Sequence, residues 1–293
     1  MVFPASIDTL KRKMKLYWPL IKGLQTGLLL ATGVAGYMSA RCPVFNIGTI
    51  LGLSGSLFLS ISGSTVLNMW WDRDIDSMMK RTKKRPISQG SISPGEALRL
   101  GLVLSVLGAG WAVSMDPLFG LVVFAGLFFD VLIYSMWLKR RTCWGIIWGG
   151  VSGAMPILAG RVLGVGGFDW IGITLALGIL FWIPTHTLTF SMKFYDDYKA
   201  AGVPTFPSTY GFAFTRHTIA ISSILAALAM GLAAFGIGMA WGFLRLLGVL
   251  SAGLLLLAIA ITFRPSERIN FSLFKYASIY MLAAMILVVI EVL

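Results

Sequence analysis

Charge is scarce in this sequence. Of its 293 residues only 12% are Asp, Glu, Lys or Arg, about half the share that a soluble domain carries, which excludes a chain dissolved in water over most of its length. A second soluble domain is absent, as are low-complexity linkers and tag-like segments, and residues 1–293 read as one domain. A cleavable leader is not evident either: Lys11, Arg12, Lys13 and Lys15 precede an apolar stretch that is too long for a signal core and has no small-residue cleavage pattern. Cysteine is limited to Cys42 and Cys143. The topology below puts them on opposite membrane faces, so they do not pair within one chain.

What fills the sequence is hydrophobic residue, at 57%, gathered in runs of the length that crosses a bilayer, about 20 residues each. Nine such runs are expected, at 19–38, 46–71, 97–114, 117–138, 144–163, 168–192, 213–235, 242–263 and 270–291. The net charge of +12 is concentrated in alternate connecting segments. These hold Lys80, Arg81, Lys83, Lys84, Arg85, Lys139, Arg140, Arg141, Lys193, Lys199, Arg216, Arg264, Arg268 and Lys275, whereas the other set holds little beyond Arg41 and Arg161. By the positive-inside rule the basic segments are cytoplasmic. The basic excess then reflects orientation and attraction to anionic lipid, not nucleic-acid binding.

The acids are not scattered. Five of the twelve Asp and Glu residues fall in two clusters on the basic side: Asp72, Asp74 and Asp76 after the second run, Asp196 and Asp197 after the sixth. Asn68, Asp72 and Asp76 are four apart, so they share one helix face if the helix continues through Asp76; Asp74 points elsewhere. Oxygen donors about 6 Å apart along the axis suit Mg²⁺, which is commonly held by one or two carboxylates together with substrate phosphates. Adjacent Asp196 and Asp197 diverge by about 100°, so one of the two faces the first cluster.

The cations Lys80, Arg81, Lys83, Lys84 and Arg85 follow at once, with Lys139 and Lys193 on the same side, a set able to hold a diphosphate and stabilise it as a leaving group. Lys22 sits a turn inside the first run, where an ionisable group marks a functional site. Trp70, Trp71, Tyr134, Phe190, Phe194 and Tyr195 offer aromatic faces to a cation. His186 and His217 fit interhelical hydrogen bonding as well as ligation, and Asp130, inside the fourth run, has no assignable role.

Asn68-x-x-x-Asp72-x-x-x-Asp76, continued by RTKKRPISQGSISPGEAL, resembles the first signature of the UbiA superfamily of intramembrane prenyltransferases. Within it, DRDID, Tyr134 with WLKRRT, GGVSGAMP, PTH and DDYKAAGVP are similar to the haem O synthase group. The likeness covers most of the first six runs and fades after about residue 216. It implies an all-α integral membrane fold, nine transmembrane helices around a central cavity with a cytoplasmic-side cap, and two aspartate motifs binding a Mg²⁺-diphosphate. Asn68, Asp72, Asp76 and Asp197 are then metal ligands, with Asp196 beside them. Lys22, Arg81, Lys83, Arg85, Tyr134, Lys139, Lys193, His186 and Tyr198 are then substrate-binding.

The implied reaction is transfer of a polyprenyl group from its diphosphate, through an allylic cation, to a lipophilic acceptor at the cell membrane. Haem b leads as acceptor, with a quinone-precursor ring or a glycerol lipid behind it. A secondary transporter is the competing class, but transporters set their acids near the midplane, whereas these lie at helix ends beside basic runs.

Overall fold

A computed structural model describes residues 14–41 and 46–292; Lys11, Arg12, Lys13 and Cys42 lie outside the described residues. The described chain is helical. A 3₁₀ turn at Trp18–Ile21 leads into α1 (Gly23–Met38), followed by α2 (Ile47–Trp71), the short α3 (Arg73–Met78), α4 (Pro94–Met115) and α5 (Pro117–Leu127). A π-helical segment, Phe128–Leu138, continues α5. Then come α6 (Gly145–Val165), α7 (Trp170–Lys193), the short α8 (Tyr195–Ala200), α9 (Phe206–Ile237), α10 (Trp241–Phe263) and α11 (Glu267–Val292).

Among the described residues, eight helices are long and apolar enough to cross a membrane. The ninth expected crossing corresponds to α1, which has 16 residues because the chain breaks at Lys22, a non-glycine residue in the left-handed region (φ 45°, ψ 58°). Such a conformation costs about 1 kcal/mol or more and clusters at functional sites.

Backbone groups at helix ends need partners, and the sequence supplies them. Asn46, Ser93, Asp116, Asp169 and Thr205 each accept a hydrogen bond from a backbone N–H in the first turn of the helix they precede. Pro at the first or second position reinforces α4, α5 and α9. The cap at Thr205 corrects one boundary: α9 begins at Phe206, seven residues before the apolar run at 213, because Thr205 and Ser208 form a reciprocal capping box. The early start is absorbed at Gly211, whose φ of 79° kinks the helix.

The helices form a ring in the order α1, α2, α4, α5 with its π segment, α6, α7, α9, α10, α11, returning to α1. Hydrophobic side chains do not drive helices together in lipid; close packing does, through small residues. On α4, Gly101 and Gly108 lie against Leu67 and Ser60 of α2, and Gly63 of α2 faces Ser105. At the end of the bundle away from the acidic clusters, α1 crosses α6 across the ring. A Cβ at Gly36 would strike the Ile157 carbonyl, and one at Gly160 the Gly33 carbonyl. Between α7, α9, α10 and α11 the space is filled by Leu175, Ile179, Met230, Leu254 and Tyr280.

That closed end is also stapled by charge. Buried Arg161 of α6 donates to the Ser39 carbonyl and hydroxyl and to the Asp169 carboxylate, the latter pair at 2.5 Å, so one guanidinium joins the ends of α1, α6 and α7. Burial, the largest single influence, raises the Asp169 carboxyl, but the hydrogen bonds from Arg161 and the Gly172 amide and the Arg161 charge together outweigh it and hold the group below its ordinary 3.8. A depressed carboxyl pKa contributes stability that is present at neutral pH and lost as pH falls through the folded value.

Two outcomes are expected. Asp169→Asn lowers the melting temperature in detergent at pH 7, and the gap to the wild type closes as the pH is taken below 4. Gly160→Val costs about 1–3 kcal/mol by overpacking, whereas Gly110→Ala, at an exposed position with no atom near the added carbon, leaves stability unchanged or raises it by about 0.5–1 kcal/mol.

Candidate active site

The ring encloses a cavity of about 790 Å³. Its deep part is apolar, with Leu57, Ile61, Val123, Leu127, Met155 and Met285 in the wall, and it opens toward the acidic helix ends. Leu24 and Ile279 line it yet are largely exposed on the outside, so the chamber also opens sideways, between α1 and α11. The charged lining consists of four cations, Lys22, Arg81, Arg85 and Lys139, against three carboxylates, Asp72, Asp76 and Asp130.

Asn68, Asp72 and Asp76 all face this chamber. The helix does break at Asp72 (φ −85°, ψ 4°), where α2 ends and α3 begins. The i→i+4 ladder survives the break, because Asp72 N donates to Asn68 O at 2.9 Å and Asp76 N to Asp72 O at 2.8 Å. The three side chains therefore stay stacked on one face. Asp74 points away and pairs bidentately with Arg140 at 2.6 and 2.7 Å, which holds its carboxyl below the ordinary 3.8.

Asp72 and Asp76 each have a cation from another segment. Lys139 donates to Asp72 Oδ2, and Arg85 reaches Asp76 Oδ2 at 2.5 Å. These partners differ from Arg73, Lys80 and Arg81, the cations adjacent in sequence. Two oxygens remain: Asn68 Oδ1 and Asp72 Oδ1 are buried and accept no hydrogen bond, the nearest cation to the latter being Arg140 at 3.8 Å.

The π segment explains how Lys139 gets there. In an α-helix, at about 100° per residue, Lys139 would lie on the face opposite Asp130, nine positions earlier. Widened turns, seen in the bond from Lys139 N to Tyr134 O at 2.8 Å, bring Asp130, Tyr134 and Lys139 together onto the cavity wall. Sequence reasoning gave Asp130 no role. Here Asp130 accepts from Ser64 Oγ and from Asn68 Nδ2, the latter at 2.7 Å.

The second acidic cluster is used differently from the first. Asp196 is exposed on the surface. Asp197 is buried, but its two oxygens accept from the Lys80 and Arg81 amides at 3.1 and 3.2 Å and do not open onto the cavity. It clasps the loop that follows α3, and Arg81 is further held over the rings of Phe190 (4.9 Å) and Phe194 (5.4 Å) at the chamber mouth.

Lys22, Arg81, Arg85, Tyr134, Lys139, Tyr198 and His186 line the cavity. Lys83 and Lys193 are exposed and outside it, Lys193 lying 3.4 Å from the centre of the Phe271 ring. His186 is stacked between Trp182 and Phe274, with Nδ1 3.2 Å from Ser278 Oγ.

Among the described residues, no three His, Cys, Asp or Glu side chains form a ready-made metal cluster. The donor set nonetheless fits a hard cation whose coordination shell is completed by substrate phosphate, since two buried, unpartnered oxygens sit one helical turn apart beside it.

A helical ring in the membrane, with carboxylates and cations around the mouth of a lipid-lined chamber, defines the class of protein, and the sequence comparison agrees. Residues 29–279 match the model of the UbiA prenyltransferase family, and the chain belongs to that family. It is an enzyme of prenyl transfer. Protoheme IX farnesyltransferase of Korarchaeum cryptofilum is 40% identical over 219 residues, 75% of this chain and 74% of that protein. That of Archaeoglobus fulgidus is 42% identical over 202 residues, 68% of this chain and 70% of that protein.

Solved structures share the fold. A digeranylgeranylglyceryl phosphate synthase study provides one with a TM-score of 0.79 at 19% identity, covering 96% of this chain and 99% of that one. A UbiA homologue from Archaeoglobus fulgidus bound to GPP and Mg²⁺ gives 0.69 at 18% identity, over 94% of this chain and 98% of that one.

If Asp197 holds the loop, Asp197→Ala frees the Lys80 and Arg81 amides. Hydrogen exchange there accelerates by about tenfold or more, one hydrogen bond to a charged group being worth about 1.5–3 kcal/mol, while the α4 amides stay protected.

Proposed function

We propose that the chain transfers a farnesyl group from farnesyl diphosphate, bound with Mg²⁺ at the mouth of the chamber, to haem b lying in its apolar interior. The observation that carries the reading is the pair of buried, unpartnered oxygens, Asn68 Oδ1 and Asp72 Oδ1, beneath four cations and above a lipid-lined cavity. The relatives named above supply the acceptor, and their names match the motifs around Tyr134, Lys139 and His186. The site end is assigned to the cytoplasmic side, where the basic segments lie.

Asn68, Asp72 and Asp76 would hold the metal, which when bound draws charge from the departing diphosphate. Lys22, Arg81, Arg85 and Lys139 bind the phosphate oxygens. In exchanging Asp72 and Asp76 for phosphate, Lys139 and Arg85 keep every charge at the mouth paired. The bond between the prenyl C1 and the bridging oxygen breaks, its electron pair leaves with the diphosphate, and the allylic cation faces the aromatic walls of Tyr134 and Phe190. Apolar lining limits the water that would quench it. A vinyl carbon of the haem then donates its π pair to C1, forming the new carbon–carbon bond and leaving a cation on the carbon next to the porphyrin ring, which a water molecule captures with loss of a proton to give a hydroxyl. The prenyl tail gains about 0.8 kcal/mol per buried CH₂, which suits a chamber open to lipid.

Purified protein is expected to melt a few degrees higher with farnesyl diphosphate in Mg²⁺, to show no shift in EDTA, and to lose the shift in Asp72→Ala. Equal stabilisation in EDTA overturns the metal-assisted reading. Mass spectrometry after parallel incubation with haem b, 4-hydroxybenzoate and a glycerol-phosphate lipid identifies the acceptor; prenylation of either of the last two alone removes haem.

A further inference from the structure

Asp130 is a half-buried, ionisable group on the cavity wall that the reaction as described does not use. An unpaired carboxylate at that depth is costly, by about 2.5–3.5 kcal/mol on insertion scales, so its partners matter. Ser64 Oγ and Asn68 Nδ2 both donate to its Oδ2, and Ser152 Oγ lies 3.5 Å from its Oδ1.

An ionised carboxylate only accepts hydrogen bonds. Facing it, the Asn68 amide must present its nitrogen, because the flipped arrangement would set a carbonyl oxygen against a carboxylate oxygen. Asn68 Oδ1 is thereby turned to the opposite side, where it has no protein partner and stands one turn from the free oxygen of Asp72. The π register adds a second, independent constraint: an α-helical Phe128–Leu138 would not carry Asp130 and Lys139 to the cavity together.

We infer that Asp130 is a positioning residue that locks the Asn68 amide with its oxygen turned toward the metal-diphosphate site. It touches neither metal nor diphosphate and acts through Asn68. The inference rests on the proposed function, in which Asn68 is a metal donor. Removing a group that orients a metal ligand commonly weakens metal binding by about 10–100-fold.

The test is the Mg²⁺ concentration giving half of the farnesyl diphosphate-induced melting shift, with the melting temperature in EDTA as the folding control. Asp130→Leu and Asn68→Asp are each expected to raise that concentration by about tenfold or more, over and above any lowering of the melting temperature in EDTA. The second places two carboxylates 2.7 Å apart, where a donor and an acceptor now sit. Combining Asn68→Asp with Asp130→Asn exchanges donor and acceptor, keeps the net charge, and returns the half-point to within about threefold of wild type.

A double variant no better than Asn68→Asp alone overturns the positioning role, as does an unshifted half-point in Asp130→Leu. Should Asp130→Leu prove unstable in EDTA, the exchanged pair decides. A wild-type shift independent of Mg²⁺ instead overturns the functional reading from which this one starts.

Discussion

A carboxylate survives inside a lipid-facing chamber only beside a partner that offsets its charge, and the site end of this molecule is arranged around that constraint. Asp72 has Lys139, Asp76 has Arg85, Asp130 has Ser64 and Asn68, and Asp197 has two backbone amides. The partners come from other segments: the end of the π helix, the loop after α3, and α2. Charge pairing therefore also fixes how those segments meet. Removing one member of such a pair strands the other, which is typically costlier than removing both.

The same pairing makes the mouth of the chamber responsive to an anion. In the proposed function Lys139 and Arg85, already paired with carboxylates inside the chamber, would exchange a carboxylate for a phosphate oxygen, which is what preorganised electrostatic stabilisation requires. Below them the wall turns apolar within one or two helical turns. A diphosphate with a long hydrocarbon tail has the same polarity profile along its length.

Much of this was legible in the chain, and what was not has identifiable causes. Apolar runs located the long helices, because a bilayer enforces their length. The spacing of Asn68, Asp72 and Asp76 gave a shared face, which persists because Asp72 keeps its ladder bonds through a break in the helix. The start of α9 was missed since a capping box, not hydrophobicity, sets it. One of Asp196 and Asp197 was expected to face the first cluster; Asp196 is exposed, and Asp197 accepts from two loop amides, backbone partners that no residue pattern announces. Asp130 was visible as an acid in the wrong solvent, but its relation to Lys139 depends on a π register that α-helical spacing does not reveal.

The first and last helices are neighbours: α11 packs on α1, and Arg41 at the end of α1 donates to both the Gly238 carbonyl and Glu291. Ribosomes deliver helices from the N-terminus onward, so the contact of α1 with α6 can form early, whereas the side of the ring between α10 and α1 stays open until α11 enters the bilayer. Until then Lys22, at the start of α1, stands beside an open seam. A chain that ended before α11 would leave that side of its polar chamber facing lipid.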